Sequence, residues 1–281
     1  MRNIMRFIIS VILVSISAST LSNQIYTIYT GSQNGVTVRD ANTLEQITYF
    51  DPGFSPSSIV AGNCNNMYLT SGNSIYNYRN TGELINIFSF PSRSINYHAI
   101  AYAGSKIYVA YDGSQNGVTI RDSNTFQQLL YFDPGFVIDG ITAGKNNDMY
   151  LTSGNNIYNY SADGEYLNSF TWPSIGILYS DITLSPSHSC KNKVYTVYGG
   201  SQQGVTVRDS DTLNQSNVVT PGFIPAGISS GNNNDMYLTN KNIIYHYSDN
   251  GVKINEMEFI HDSGIIYTGI TFSPASKCSC N

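Results

Sequence analysis

The decapeptide GSQNGVTVRD at residues 31–40 returns as GSQNGVTIRD at 113–122 and as GSQQGVTVRD at 200–209. A second segment keeps the same intervals: MYLTSGNSIYNY at 67–78 returns as MYLTSGNNIYNY at 149–160 and as MYLTNKNIIYHY at 236–247. Both recur after 82 and then 87 residues. Self-similarity at a fixed period means that one supersecondary unit is laid down repeatedly and buries its apolar faces against its own copies. Each unit holds two different halves of roughly 40 residues, the size of a four-stranded propeller blade. Three double units predict an all-β, six-bladed propeller.

The local signals agree. The first half of a unit runs through KIYVAYDG, GVTIRD, a DSNTFQQ turn and a strand ending in LLYFDPGF. The second runs through DGITAG, DMYLTSG, NNIYNYSADG and EYLNSF, with Asp163-Gly164 as a hairpin signal. With 22 Tyr, 12 Phe, 24 Gly and only 12% charged residues, the chain favours pleated surfaces over salt-bridged helices. The first blade opens at IYTIYT, which aligns with KVYTVY and therefore lacks an innermost strand. YTGITFSPASKCSC at 267–280 aligns with YSDITLSPSHSC at 179–190. The C-terminal segment is thus expected to supply the missing strand, closing the ring and removing exposed edges.

The first halves, such as DITLSPSHSCKNKVYTVYGGSQQGVTVRDSDTLNQSNVVTPGF at 181–223, resemble YVTN-type propeller blades. The second halves, such as DGITAGKNNDMYLTSGNNIYNYSADGEYLNSF at 139–170, resemble NHL-type blades. The resemblance implies the fold. Those families include binding modules, lyases and lactonases, so it implies no single activity.

Residues 1–22 read as a signal peptide: Arg2 and Arg6 bracket a basic start, residues 7–16 are an apolar run, and Ser17, Ala18 and Ser19 are small. The run is too short to span a bilayer, which takes about 20 residues. Residues 23–281 are then a mature propeller without a membrane span, secreted or periplasmic. A net charge of −5, with 14 dispersed Lys and Arg, argues against a nucleic-acid partner. Cys64, Cys190, Cys278 and Cys280 lack the paired spacing of a zinc site. Cys278 and Cys280 are too close in sequence for an unstrained bond, so one of them is expected to pair with Cys64 or Cys190.

Two regions carry candidate chemistry. In a propeller, the loop between a blade's second and third strands shares a face with the connector into the next blade. That geometry is expected to gather Gln33, Asn34, Gln115, Asn116, Gln202 and Gln203 with Phe54, Phe136 and Phe223 and with Tyr97, Tyr179 and Tyr267. Amides beside aromatic rings suit a carbohydrate, with rings stacking on sugar C–H faces and amides bonding hydroxyls; a protein ligand is the other partner class. The same loops also serve simply to turn and pack the chain. The starts of the innermost strands form the second region, with Ser57, Ser58, Ala226, Gly227 and Thr268 beside His98, Asp139 and Asp181. Those last three are the catalytic candidates of an alternative reading, a lyase- or lactonase-like enzyme in which they bind a divalent cation or act as acid and base. Otherwise no cofactor is expected, and no GxSxG, HExxH, P-loop or dinucleotide-binding pattern occurs. The repeated Arg39-Asp40, Arg121-Asp122 and Arg208-Asp209 point to opposite sides of a strand, so each Asp is read as a turn cap rather than a catalytic acid.

Overall fold

A computed structural model of the chain describes residues 22–144, 146–174, 176–185, 192–259 and 264–274. The leader reading of residues 1–22 falls almost wholly outside them, as do Cys190, Cys278 and Cys280. Among the described residues there is no helix, and none that is long and apolar enough to cross a membrane. The first sequence unit forms β1 (Gln24–Gly31), β2 (Gly35–Asp40), β3 (Gln46–Phe50), β4 (Ser58–Ala61), β5 (Asn66–Ser71), β6 (Ser74–Arg79) and β7 (Leu84–Ser89). The second forms β8 (Ile95–Ala103), β9 (Lys106–Gly113), β10 (Gly117–Asp122), β11 (Gln128–Phe132), β12 (Gly140–Ala143), β13 (Met149–Ser153), β14 (Asn156–Tyr160) and β15 (Tyr166–Thr171). The third forms β16 (Ile177–Leu184), β17 (Lys193–Gly200), β18 (Gly204–Asp209), β19 (Gln215–Val219), β20 (Gly227–Ser230), β21 (Met236–Asn240), β22 (Ile243–Tyr247) and β23 (Lys253–Glu258), and β24 (Ile265–Ser273) follows.

These strands make six antiparallel four-stranded blades, and five of them follow chain order. The first is ordered β24-β1-β2-β3, with β24 pairing along β1 from Gln24↔Ser273 to Gly31↔Ile265. The ring is therefore closed by the C-terminal strand, as its alignment with residues 179–190 predicts. Second and third strands are buried on both faces because a blade lies on each side of them, whereas outer strands alternate between exposed and half-buried residues.

Two kinds of blade interface alternate around the ring. From blades 1 to 2, 3 to 4 and 5 to 6, an aromatic of the connector lies on a tyrosine of the next blade: Phe54 on Tyr76, Phe136 on Tyr158 and Phe223 on Tyr245, with ring centroids 4.1, 4.3 and 4.5 Å apart. From blades 2 to 3 and 4 to 5, a buried arginine lies over a phenylalanine of the preceding blade, Arg121 at 3.9 Å from the Phe88 ring and Arg208 at 3.5 Å from that of Phe170. From blade 6 to 1 the arginine is Arg39, and Met257 holds the register position of Phe88. A desolvated cation over a ring is worth about 2 kcal/mol.

Each arginine donates Nη1 to the carbonyl of a residue four positions beyond the adjacent Asp: Arg39 to Leu44 at 3.0 Å, Arg121 to Phe126 at 2.9 Å and Arg208 to Leu213 at 2.8 Å. Those acceptors sit at φ of 62°, 58° and 56°, a left-handed conformation that needs outside support in a bulky residue. The neighbouring Asp supplies it. Asp40 Oδ1 accepts the amides of Asn42 at 2.9 Å and Thr43 at 3.0 Å, and Asp122 and Asp209 repeat the arrangement. The repeated Arg-Asp pair is thus a turn brace, as the strand geometry implies. Burial pushes the Arg121 and Arg208 guanidinium groups down in pKa, opposed by Tyr97 and Tyr179 beside them.

Candidate ligand-binding face and channel mouth

The GSQNG-type loops and the connectors into β8, β16 and β24 do share a face. Ser114 N donates to Ser94 O at 3.0 Å, Ser201 N to Gly176 O at 2.8 Å and Ser32 N to Gly264 O at 3.2 Å. That approach explains the repeated glycines. Gly31, Gly113 and Gly200 sit at φ of 129°, 123° and 115°, and a Cβ there would come within 1.8 to 2.0 Å of the connector carbonyl. Gly35 lies beneath the rings of Tyr29 and Tyr49, and Gly117 beneath those of Tyr111 and Tyr131. Only the middle of each loop is free of such duties: Gln33, Gln115 and Gln202 are exposed, with Asn34, Asn116 and Gln203 half-buried.

The aromatic members of the expected recognition surface are placed differently from the amides. Tyr97, Tyr179 and Tyr267 are fully buried at the arginine-bearing interfaces and present no ring to a ligand. Arg208 Nη2 lies 3.5 Å from Tyr179 Oη, and the other two tyrosines neighbour Arg121 and Arg39. Their burial corrects the expectation that they line the surface, and its cause is the packing of each ring under its own blade's arginine. Phe54, Phe136 and Phe223 are half-buried, each with one ring face taken by its tyrosine partner.

The channel mouth gathers what the connectors bring to the axis, and a cavity of about 560 Å³ opens there. The innermost strands of blades 1, 3 and 5 each carry a β-bulge, between Tyr267 and Gly269, Tyr97 and Ala99, and Tyr179 and Asp181. A bulge leaves one residue out of register and re-aims its side chain. The bulged residues are Thr268, His98 and Ser180, all lining the cavity. Ser57, Asp139 and Ala226 hold the corresponding place in blades 2, 4 and 6. Ser180, not Asp181, is therefore the counterpart of His98; Asp181 stands one residue deeper, level with Ala99 and Gly269. The next ring is uniform, with Ile59, Ile100, Ile141, Ile182, Ile228 and Ile270.

His98, Asp139 and Asp181 all line this cavity, yet each is engaged with backbone rather than with the others. His98 Nε2 donates to Ile138 O at 2.6 Å, while Nδ1 lies 3.5 Å from Asn96 O and 4.0 Å from Asp112 Oδ2. Asp139 Oδ2 accepts the Gly154 amide at 2.8 Å. Asp181 accepts the Ile182 amide at 2.8 Å and, across the blade gap, the Ile228 amide at 2.9 Å. Burial pushes Asp181 up from 3.8 to about 6 in pKa, against the pull of those two amides. Among the described residues no group of three or more His, Cys, Asp or Glu could hold a metal ion. Similar side-chain bridges tie other inner edges together: Ser57 Oγ donates to Tyr97 O at 2.8 Å, Ala61 N to Thr271 Oγ1 at 3.1 Å and Phe272 N to Ser229 Oγ at 2.8 Å.

No protein-family model and no curated protein matches the sequence. Solved structures do match the fold. A protein of unknown function from Bacteroides caccae aligns with a TM-score of 0.68 at 11% identity, over 89% of this chain and 99% of that one. The WD40 repeats of RRP9 align at 0.57 and 13% identity, over 72% of this chain and 63% of that one. U3-55K aligns at 0.56 and 13%, over 72% and 64%. At such identities the likeness is one of fold. The chain is a six-bladed β-propeller whose structural neighbours include WD40 repeats.

Proposed function

We propose that the protein is an exported binding module that takes a protein ligand on the face of the GSQNG-type loops, around the channel mouth. One contrast carries the reading. The framework repeats almost residue for residue, yet the six mouth positions hold Ser57, His98, Asp139, Ser180, Ala226 and Thr268 around a cavity of about 560 Å³. Constant scaffold beneath a mouth that differs from blade to blade is how rigid folds carry recognition, and the volume lies in the range of binding cavities. Carbohydrate stands second, on the exposed amides of Gln33, Gln115 and Gln202; the half-covered Phe54, Phe136 and Phe223 offer it no open pair of rings. Export rests on residues 1–22, and the alternation of YVTN-type with NHL-type blades rests on the sequence patterns of the two half-units. The test is a glycan array and a peptide-display selection run in parallel on the folded chain. Binding lost in a His98→Ala, Asp139→Ala double variant and kept when Asn124 of the opposite face becomes Ala supports the reading; the reverse pattern overturns it.

A lyase- or lactonase-like enzyme is the second reading, favoured by the Asp181 carboxyl held at about 6, near the range where a group both takes and gives a proton. Turnover of a lactone or uronate panel, abolished by Asp181→Asn, would establish it. Absence of turnover across the panel would remove it.

A further inference from the structure

The face around the channel mouth is chemically two-sided. In blade 5, Leu178 pairs across the sheet with Gly199, and Ile224 Cδ1 reaches within 3.3 Å of the point where a Cβ on Gly199 would stand. Leu178 and Ile224 thus both neighbour a residue that has no side chain, and they are 57% and 48% exposed. Ala226 lines the mouth on the same side, and Ile266, 50% exposed, holds the register position of Leu178 in blade 1. The register positions of Leu178 and Gly199 hold Asn96 and Asp112 in blade 3, with His98 and then Asp139 at the mouth, while Val137, 50% exposed, keeps the place of Ile224. Blade 3 stands across the ring from blade 6. A sector richer in exposed aliphatic side chains therefore faces one that sets Asp112 and Asp139 beside a single exposed valine, with Asp181 of blade 5 deeper between them.

The charge balance is as lopsided as the hydropathy. The cavity lining includes Asp139 and Asp181 and, among the described residues, neither Lys nor Arg. Among the described residues, strand ends and connectors on this face add Asp51, Asp112, Asp133 and Glu258, against Arg93 and Lys241. Outer strands also expose aliphatic side chains, such as Ile47, Leu84 and Leu129, but these are spread around the circumference rather than gathered at the axis.

We infer that this face docks a segment of a protein partner carrying a lysine or arginine a few residues from a run of aliphatic side chains, laid across the channel mouth. The inference rests on the reading of this face as the binding face and adds the chemistry of its ligand. The aliphatic run covers Leu178, Ile224 and Ile266, whose exposed apolar surface gains by leaving water. The cation lies toward Asp139 and Asp112, where charge complementarity orients the segment and suppresses acidic partners. A second copy of the chain fits less well, because it would bring the same carboxylates face to face.

The test is a random linear-peptide display on the folded chain, with the selected peptides remade with a fluorescent label and titrated by anisotropy. Selected peptides should share a Lys or Arg within a few residues of two or more Leu, Ile or Val. Leu178→Asp should weaken them at least tenfold, Leu178→Ser should weaken them less, and Asp139→Asn should weaken them several-fold with a shallower salt dependence. Leu178 is exposed, so both of its variants should keep the wild-type melting transition. Peptides that map to the mouth through His98→Ala and Asp139→Ala but lack the basic and aliphatic pattern overturn this inference and leave the binding-module reading standing. Peptides that map to the opposite face overturn both. A dimer seen by light scattering and dissolved by Leu178→Asp overturns it in favour of self-association.

Discussion

Ending the chain at Gly264 removes β24 and tests whether the ring depends on its last strand. Four of its apolar side chains are buried: Ile265 at 2%, Tyr267 at 0%, Ile270 at 6% and Phe272 at 9% relative exposure. Burying such side chains is worth about 1.5–3 kcal/mol each, or about 6–12 kcal/mol together. Releasing the strand returns backbone entropy of about 1–2 kcal/mol per residue, which offsets part of that loss. It also strips the inner edge of β1 and uncovers Tyr237 and Ile59, which pack against β24 from either side. Against a total stability of about 5–15 kcal/mol for a domain, the truncated chain should not hold a closed ring at 37 °C. Ile270→Ala gives a graded version that keeps the strand, with an expected cost of about 2–5 kcal/mol. Circular dichroism melts and urea titrations read both. A truncated chain with an unchanged melting transition, or an Ile270→Ala variant within about 0.5 kcal/mol of wild type, would refute the argument.

Three further outcomes are expected. The Asp181 carboxyl has its pKa raised from 3.8 to about 6 in the folded chain, so the stability it contributes is complete below about pH 3.8 and is lost as pH rises through about 6. Asp181→Asn should therefore exceed wild type at pH 7 by up to about 3 kcal/mol, with the gap closing toward pH 4; a gap constant from pH 4 to 8 in urea titrations would contradict this. Gly113→Ala should cost more than about 1 kcal/mol in urea unfolding, because φ is 123° and the Ser94 carbonyl occupies the space; a neutral result would mean that the loop and connector are not in contact. Phe136→Ala should lower the melting temperature, since it removes a ring stacked on Tyr158, while Gln115→Ala should stay within about 0.5 kcal/mol; equal effects would place Phe136 outside the blade interface.

The frame of this protein is legible in its sequence because each blade is a local pattern copied along the chain. The matching of residues 267–280 to 179–190 even locates the strand that closes the ring, and the opposite facing of Arg39 and Asp40 identifies a brace rather than an acid pair. The channel mouth is less legible, because a bulge at His98, Ser180 and Thr268 breaks the two-residue alternation that strand reading relies on. For that reason Ser180 escapes notice while Asp181 is read one level too high. Tyr97, Tyr179 and Tyr267 look like surface aromatics in a connector; only three-dimensional packing puts each under its own blade's arginine. Leu178 and Ile224 carry no signal at all in one dimension, since an exposed aliphatic in a strand or connector reads like any core residue. Their shared neighbour Gly199 brings together positions from two different segments.

The alternation of interfaces sets a parity rule. A blade whose leading face carries a buried arginine must follow one that offers Phe88, Phe170 or Met257, and a blade that extends Phe54, Phe136 or Phe223 must precede one that offers Tyr76, Tyr158 or Tyr245. Excising or inserting a single blade would set like against like at one seam, bringing either an arginine face to a Phe54-type connector or a Phe88-type face to a Tyr76-type one. A change in blade number that keeps both kinds of interface therefore comes two blades at a time.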